Sequence, residues 1–528
     1  MNIPDLDIEW LELPAPVPVW YGQVTAQQWQ TAATSVRDAG GRLLALWGGS
    51  AIDSIATHAV LTGVTAVFAA YVMAEGVAWL ALPLSMKDGR CVYPDLSEVF
   101  PVASRMQRAA ADLSGIHAEG ASDVRPWLNH GAWPADHTPL SQDALNLPTL
   151  AATDLVDYPF VRVEGDGVHE IAVGPVHAGT IEPGHFRFSV VGEKVLRLEQ
   201  RLGYTHKGIE QRMTQLPPLQ AYRLAGRVSG DSTVAYAWAY CMALESAAKT
   251  VIPPRAAWLR ALMLERERVA NHLGDLGALG NDAAFAFALA QFSRLREDWL
   301  RDSKSAFGHR LVMDGVVPGG VRSDLKSEQR DQMLRLCETI ATEVRILQDI
   351  FEAHPGLQDR FLTTGCVPPA LAARLGLTGL AGRASSQSWD VRCDHRFAPY
   401  NQLNVQMATH HNGDVAARVI VRFDEVFESL RLIRRILLDL PVGEVQSVVT
   451  LPQQACRGAG WVEGWRGELW VALELGGSDQ SNRILRCHLH DPSWQNWPVL
   501  EHAVMGNIVP DFPLINKSFN LSYSGQDL

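Results

Sequence analysis

The segment WLRALMLERERVANHLGDLGAL, residues 258–279, repeats its apolar residues at helical spacing. Leu262, Val269, Leu273 and Leu276 fall at i, i+7, i+11 and i+14, on one face of a helix. Glu265 and His272 are seven residues apart, so they sit on or beside that stripe. Glu265, Glu267, Arg268 and His272 are therefore candidates for buried charge. A buried carboxylate with a raised pKa suits a proton relay, which makes Glu265 and His272 candidate catalytic groups. The commoner role for such groups is an ion pair that ties helices together. Asp390, Arg392 and Asp394, in RASSQSWDVRCDHRFAPY (383–400), present the same choice.

Helix is expected across about 218–350, and strands on either side of it. Upstream, HEIAVGPVHAGTIEPGHFRFSVVGEKVLRLEQRLGYTHKGIEQRM (169–213) alternates as strands do. Within it, His177, Glu182 and His185 stand among glycines and prolines. Downstream, GELWVALELGGSDQSNRILRCHLHDPSW (467–494) resembles the late G-E-L…R-x-R-x-x-x-P-S hairpin of complex I and hydrogenase large subunits. At the N-terminus, TAQQWQTAATSVRDAG (25–40) has helical spacing and ends at Gly40-Gly41. The strand RLLALWG follows, then AVLTGVTAVFAAYVMA (59–74) and GVAWLALPL (76–84). The first of these apolar runs is shorter than a membrane-spanning helix requires. With Glu75 between them, the two read as paired strands. The expected class is α+β: a small α+β domain at 1–140, a linker at 141–160, and at 161–528 a mainly helical bundle flanked by antiparallel hairpins.

Bulk properties narrow the function. A chain of 528 residues exceeds one ordinary domain, and 47% hydrophobic with 20% charged residues is typical of a globular protein. A net charge of −12 argues against nucleic-acid binding. The seven cysteines include no C-x-x-C pair, so zinc, iron–sulfur and thioredoxin signatures are missing. Scattered cysteines of this kind read as reduced thiols in a cytoplasmic protein. The opening MNIPDLDIEW lacks the basic region of a secretory signal, so membrane association is expected through partners.

Several motifs carry a family resemblance. FPVASRMQRAAADLSGIHAEGASDVRPWL (100–128) resembles the signature of the 30-kDa subunit of complex I, the NADH:quinone oxidoreductase. Phe100, Pro101, Arg108, Asp112, Leu113, Gly115, Ile116, Gly120, Asp123, Arg125 and Leu128 fit it, whereas Gln107 and Ala109 replace acidic residues. Segment 169–213 is similar to the opening of hydrogenase large subunits and of the 49-kDa quinone-site subunit of complex I. Residues 258–279 match E-x-E-R-I-x-x-H-L at Glu265, Glu267, Arg268, His272 and Leu273. RVSGDSTVAYAWAYCMALE (227–245) resembles the hydrogenase stretch R-x-C-G-x-C-T-x-x-H-x-x-A…E, and KSFNLSYSGQDL (517–528) its closing S-(I/L)-D-P-C-x-x-C. The four metal-binding cysteines of that pattern are here Ser229, Ser232, Ser522 and Gly525. Fusion of both modules in one chain is the arrangement of group 4 energy-converting hydrogenases of the formate hydrogenlyase type.

The resemblance implies a subunit of an oxidoreductase complex. Nickel and iron in the family's site are held by thiolates, soft ligands with a pKa of about 8.5. Serine hydroxyls are hard and protonated, and glycine offers no ligand. The chain is expected to bind no metal or cofactor and not to act as a hydrogenase. The end of the chain at Leu528, three residues past Gly525, is expected to leave no room for a segment cleaved during nickel insertion. Expected partners are an iron–sulfur small subunit of the complex I 20-kDa type, a ferredoxin-like subunit and ion-translocating membrane subunits. The expected location is the inner face of the cell membrane, as a peripheral cytoplasmic subunit.

Quinone is the substrate the resemblance suggests. In complex I a hairpin histidine bonds the quinone headgroup, and in hydrogenases a nearby glutamate passes protons. Glu182 is the candidate for the second role, and His177 or His185 for the first. Ser229, Asp231, Ser232, Tyr236 and Ser522 would line the same cavity. Tyr236 stands where hydrogenases have histidine, and the quinone-donating tyrosine of complex I has no counterpart in this register. A redox subunit should hold a ring-sized cavity between 177–185, 229–236 and 522–525. A scaffold that couples its neighbours without a substrate should have that space filled by side chains.

Overall fold

A computed structural model of the chain describes residues 1–50, 65–87, 89–134, 137–140, 157–177, 179 and 181–528. The fold is α+β. Near the N-terminus, Thr25 caps the helix Ala26–Asp38 by accepting from the Gln28 amide, and Gln28 returns the bond to the Thr25 amide. Gly40, at φ 76°, follows the end of this helix. The helix meets the strand Arg90–Pro94, with Trp29 edge-on to Tyr93 at 6.2 Å, and a five-stranded sheet runs in the order Trp10–Glu12, Val19–Gln23, Gly76–Pro83, Thr65–Met73 and Arg42–Ser50.

The expected strand pair is antiparallel and turns tightly between Met73 and Gly76. Gly76 has φ 140°, and a Cβ there would lie 2.3 Å from the Pro18 carbonyl, so no larger residue fits. Residues 59–64 of the first apolar run lie outside the described residues, as do 141–156 of the expected linker. From Ala66 to Val72 every residue is buried. This sheet is covered on both faces, which is why its strands read as unbroken apolar runs. No helix among the described residues is long and apolar enough to cross a membrane.

The cover on one face comes from the far end of the chain. Trp470 meets Trp79 edge-on at 6.3 Å, and the His488 ring stacks on Trp47 at 4.5 Å. Arg486 donates to the Gly48 carbonyl at 2.9 Å and Gln495 to the Leu44 carbonyl at 2.6 Å. Arg42 reaches across to pair with the buried Glu468.

The expected helical region resolves into four long helices: Thr233–Ala247, Pro254–Asp282, Ala286–Phe307 and Ser327–Ala353. The second is the central helix. Leu262, Val269, Leu273 and Leu276 are all fully buried on it, but so are Arg260, Glu265, Arg268 and His272. It is surrounded on all sides, by Ala286–Phe307 and Val415–Asp439 among others, so one apolar stripe describes only part of its surface. The late sheet runs Cys456–Glu463, Glu468–Leu475 and Ile484–His490, all antiparallel. Its first strand lies directly on the helix Thr233–Ala247. A Cβ on Gly460 would stand 1.9 Å from the Ala239 carbonyl, so glycine sets how close helix and strand come.

Candidate functional site

Two chain segments that are remote in sequence meet at the four altered positions. Ser229 and Ser232 flank the short turn before the helix Thr233–Ala247, and Ser522 caps the C-terminal helix Tyr523–Asp527 by accepting from the Gly525 amide at 2.8 Å. The Ser229 hydroxyl donates to Asp231 Oδ1 at 2.7 Å and lies 3.0 Å from the Ser522 hydroxyl. A hydroxyl has one proton to give, so in this pair Ser522 is the donor. No ring-sized gap separates the two.

Asp231 is clamped by Arg466, whose guanidinium bonds both carboxylate oxygens and also reaches Ser232 Oγ at 3.3 Å. The Asp231 carbonyl accepts from Trp465 at 2.8 Å and from Asn271 at 2.7 Å. Burial would raise the Asp231 pKa, but the Arg466 charge outweighs it and holds the carboxyl below its ordinary range. One step away, Tyr236 donates to Asp491 Oδ2 at 2.7 Å, and burial followed by the Asp491 charge pushes its phenol well up. Asp491 fills the space beside Gly525: a Cβ on Gly525 would stand 2.4 Å from Asp491 Oδ2. Beneath the turn, Glu267 accepts from the Val234 and Ala235 amides at 2.7 and 3.1 Å, and burial pushes its carboxyl up to about 8.

Ser229, Asp231, Ser232 and Ser522 are thus brought into one polar cluster, the three serines buried and Asp231 half-buried, with Tyr236 at its edge. The loop 174–185 lies beside it. Glu182 accepts from the Ser524 amide at 3.1 Å, and Gly184 packs against the Tyr523 ring. His185 bonds the Gly174 carbonyl at 3.2 Å and faces Phe160 at 5.1 Å, while His177 is exposed. Burial lowers the pKa of both histidines. Among the described residues no hydrogen bond joins His177 or His185 to the serine cluster.

Glu265 and His272 belong to a different centre. Glu265 accepts from Arg392 at 3.0 and 3.1 Å, Arg268 at 3.2 Å, Tyr400 at 2.8 Å and Ser429 at 2.7 Å. Burial would raise its pKa, yet Arg392 and Arg268 hold it below the ordinary range, the reverse of a relay acid. His272 bonds Glu425 at 2.8 Å, and burial lowers its pKa. Asp390 chelates Arg392, whereas Asp394 is exposed.

Arg466, Asp491, Asn271 and Glu425 hold these centres together and were not among the residues expected. Asp491 lies in the D-P-S of 491–493, a lookalike of the C-terminal D-P-C motif, and folds back against the position that motif occupies. Among the described residues no group of three or more His, Cys, Asp or Glu could hold a metal ion.

Residues 22–147 match the family model of the respiratory-chain NADH dehydrogenase 30 kDa subunit, and 279–457 that of the 49 kDa subunit. Formate hydrogenlyase subunit 5 of Escherichia coli (strain K12) is 30% identical over 474 residues, 88% of this chain and 82% of that protein. The chain belongs to the family of complex I and hydrogenase large subunits. Hydrogenase-4 component G of the same organism is 31% identical, over 88% of this chain and 81% of its own. The C/D subunit of NADH-quinone oxidoreductase from Bacteroides thetaiotaomicron (strain ATCC 29148) is 28% identical over 77% of this chain and 80% of its own. This family member joins the 30 kDa and 49 kDa modules in one chain. It is a complex I-like oxidoreductase subunit, and its relatives are named as subunits and components of larger assemblies.

Proposed function

We propose that this chain is the large subunit of a membrane-associated, complex I-like oxidoreductase complex that builds no nickel–iron centre. The observation that carries this reading is the contact of Ser229 with Ser522 at 3.0 Å, closed on one side by the Arg466–Asp231 pair. The donor set does not fit nickel and iron. Three protonated hydroxyls replace thiolates, and the Asp491 carboxylate occupies the space a fourth side chain would need. In this reading the cluster is a hydrogen-bonded joint between the 229–232 turn and the C-terminal helix. The chain couples an iron–sulfur small subunit of the complex I 20-kDa type, and a ferredoxin-like subunit, to ion-translocating membrane subunits at the inner face of the membrane. The cofactors belong to those partners.

A second reading gives the chain a quinone or related acceptor. It is favoured by the loop 174–185, where Val176 and Ile181 are exposed beside His177 and Glu182. A quinone carbonyl gaining charge needs a donor, and an exposed imidazole next to apolar side chains supplies one.

Titrating the complex with a quinone analogue, while following the small subunit's iron–sulfur signal by electron paramagnetic resonance, separates the two. A coupling role gives an unchanged signal at saturating analogue. A perturbation abolished by His177→Ala supports the acceptor reading at the loop. A perturbation that survives His177→Ala but is lost in Ser229→Ala would overturn the closed cluster.

A further inference from the structure

Eight ionisable side chains meet in the core behind the late sheet, each at most 3% exposed. Glu265, Arg268 and His272 come from the central helix, Arg383 from the short helix Gly379–Arg383, and Asp390 and Arg392 from the turn that follows. Glu425 comes from Val415–Asp439, and Glu463 ends the first strand of the late sheet. Arg383 bonds Glu425 at 2.7 Å and Glu463 at 2.9 Å, and approaches Asp390 at 3.8 Å. Arg392 bonds Asp390 at 2.6 Å and Glu265 at 3.0 Å. Arg268 bonds Glu265 at 3.2 Å and approaches Glu425 at 3.7 Å.

The charges do not cancel. Four carboxylates face three guanidiniums, and an unbalanced charge buried this deeply is expensive. His272 is poorly placed to supply the fourth positive charge. Its Nε2 meets Glu425 and, among the described residues, its Nδ1 has no hydrogen-bond partner, so the imidazolium would bury an unmet N–H. A neutral ring donating from Nε2 fits better, which leaves the missing proton to a carboxyl.

Glu265, Asp390 and Glu425 are each satisfied as anions. Glu265 accepts five bonds, Asp390 is chelated by Arg392 and bonded by its amide, and Glu425 takes two guanidinium bonds and His272. Glu463 is the least satisfied. One oxygen takes a single Arg383 bond, and the other a long one, 3.3 Å, from the Val391 amide.

We infer that Glu463 is a proton-binding site, its carboxyl carrying the proton that balances this cluster. The local field agrees. Burial and the Asp390 charge raise its pKa, Arg383 lowers it, Glu468 raises it and Arg392 lowers it, with a net rise to about 7. Glu468 itself is paired with Arg42 of the N-terminal unit. Release is a simple acid dissociation: the carboxyl becomes carboxylate, the proton passes to water, and no electron moves.

The location gives this proton a reach. Residues 463–468 form one turn, E-G-W-R-G-E. Arg268 grips its start through the Glu463 and Gly464 carbonyls, at 2.7 and 2.8 Å. Trp465 and Arg466 at its centre hold Asp231 of the serine cluster, and Glu468 at its end holds Arg42. Glu463 therefore lies on the same turn that holds Asp231 of the serine cluster and Arg42 of the N-terminal unit. This inference stands whether or not a quinone binds.

The test is infrared difference spectroscopy of the carbonyl stretch of protonated carboxyls, with the complex titrated through neutrality. Glu267 and Asp527 are also pushed up, to about 8 and about 7, so the assignment uses wild type against Glu463→Gln. Wild type should show a buried-carboxyl band that fades as pH rises through about 7 and is missing from the variant. An unchanged band in Glu463→Gln would overturn the assignment. So would a wild type whose buried carboxyls are all ionised below neutrality, a result that needs no variant to fold.

Stability gives a second readout. The folded pKa lies above the ordinary value of about 4.3, so the folded state holds the proton longer than the unfolded one. Stability from this group is complete below that value and is lost as pH rises toward about 7. The unfolding temperature of wild type should fall across this window relative to Glu463→Gln, and parallel curves would contradict the inference.

Discussion

Arg383→Ala should destabilise the folded chain by about 3–5 kcal/mol, the range seen when one partner of a buried ion pair is removed. Arg383 is completely buried and serves Glu425, Glu463 and Asp390 at once, besides donating to the Trp389 carbonyl at 2.9 Å. Its loss leaves four carboxylates facing two guanidiniums in a region without solvent. Protonation of Glu463 relieves one of the two excess charges, but Glu425 then has only His272 and the more distant Arg268. Arg330→Ala is the control. Arg330 pairs with Asp331 on the surface, the two side chains 46% and 51% exposed, so its loss should cost no more than about 1 kcal/mol. Thermal unfolding of the two variants beside wild type checks the difference. Equal, small effects would mean that the buried cluster is not held by charge.

Gly525→Cys, the change that would restore a thiol to the old pattern, should cost about 1–3 kcal/mol through overpacking and recruit no nickel. The added Cβ would lie 2.4 Å from Asp491 Oδ2, 2.6 Å from Asp491 Cγ and 2.9 Å from the Ser522 hydroxyl. Asp491 cannot yield cheaply. One oxygen accepts from Tyr236 at 2.7 Å and the other from the Ser493 amide at 2.8 Å. Adding Asp491→Ala should remove the clash while stranding the buried Tyr236 hydroxyl. The double variant is expected to be more stable than the sum of the two single changes, and simple additivity would argue against the contact.

Periodicity made much of the fold legible. The stripe of Leu262, Val269, Leu273 and Leu276 announced the central helix, and the apolar runs on either side of Glu75 announced a hairpin whose tight turn Gly76 permits. Those runs are unbroken and apolar because both faces of their sheet are covered, and the sequence of a strand does not say what lies above it. The altered positions Ser229, Ser232, Ser522 and Gly525 were readable because their surroundings are patterned.

The partners were not readable. Arg466 clamps Asp231 across 235 residues, Tyr236 meets Asp491 across 255, and His272 meets Glu425 across 153. Pairings of that kind leave no local spacing to detect. For the same reason the sequence left Glu265 open between relay and ion pair. Arg392, which weighs most against a raised pKa, comes from a turn 127 residues downstream.

Elemental analysis of the complex purified through this chain, counting nickel and iron per copy, tests the closed serine cluster most directly. The prediction is iron from the partner subunits and no stoichiometric nickel. One nickel per chain would contradict it, because Ser229, Ser232, Ser522 and Gly525 would then have to open into a metal site.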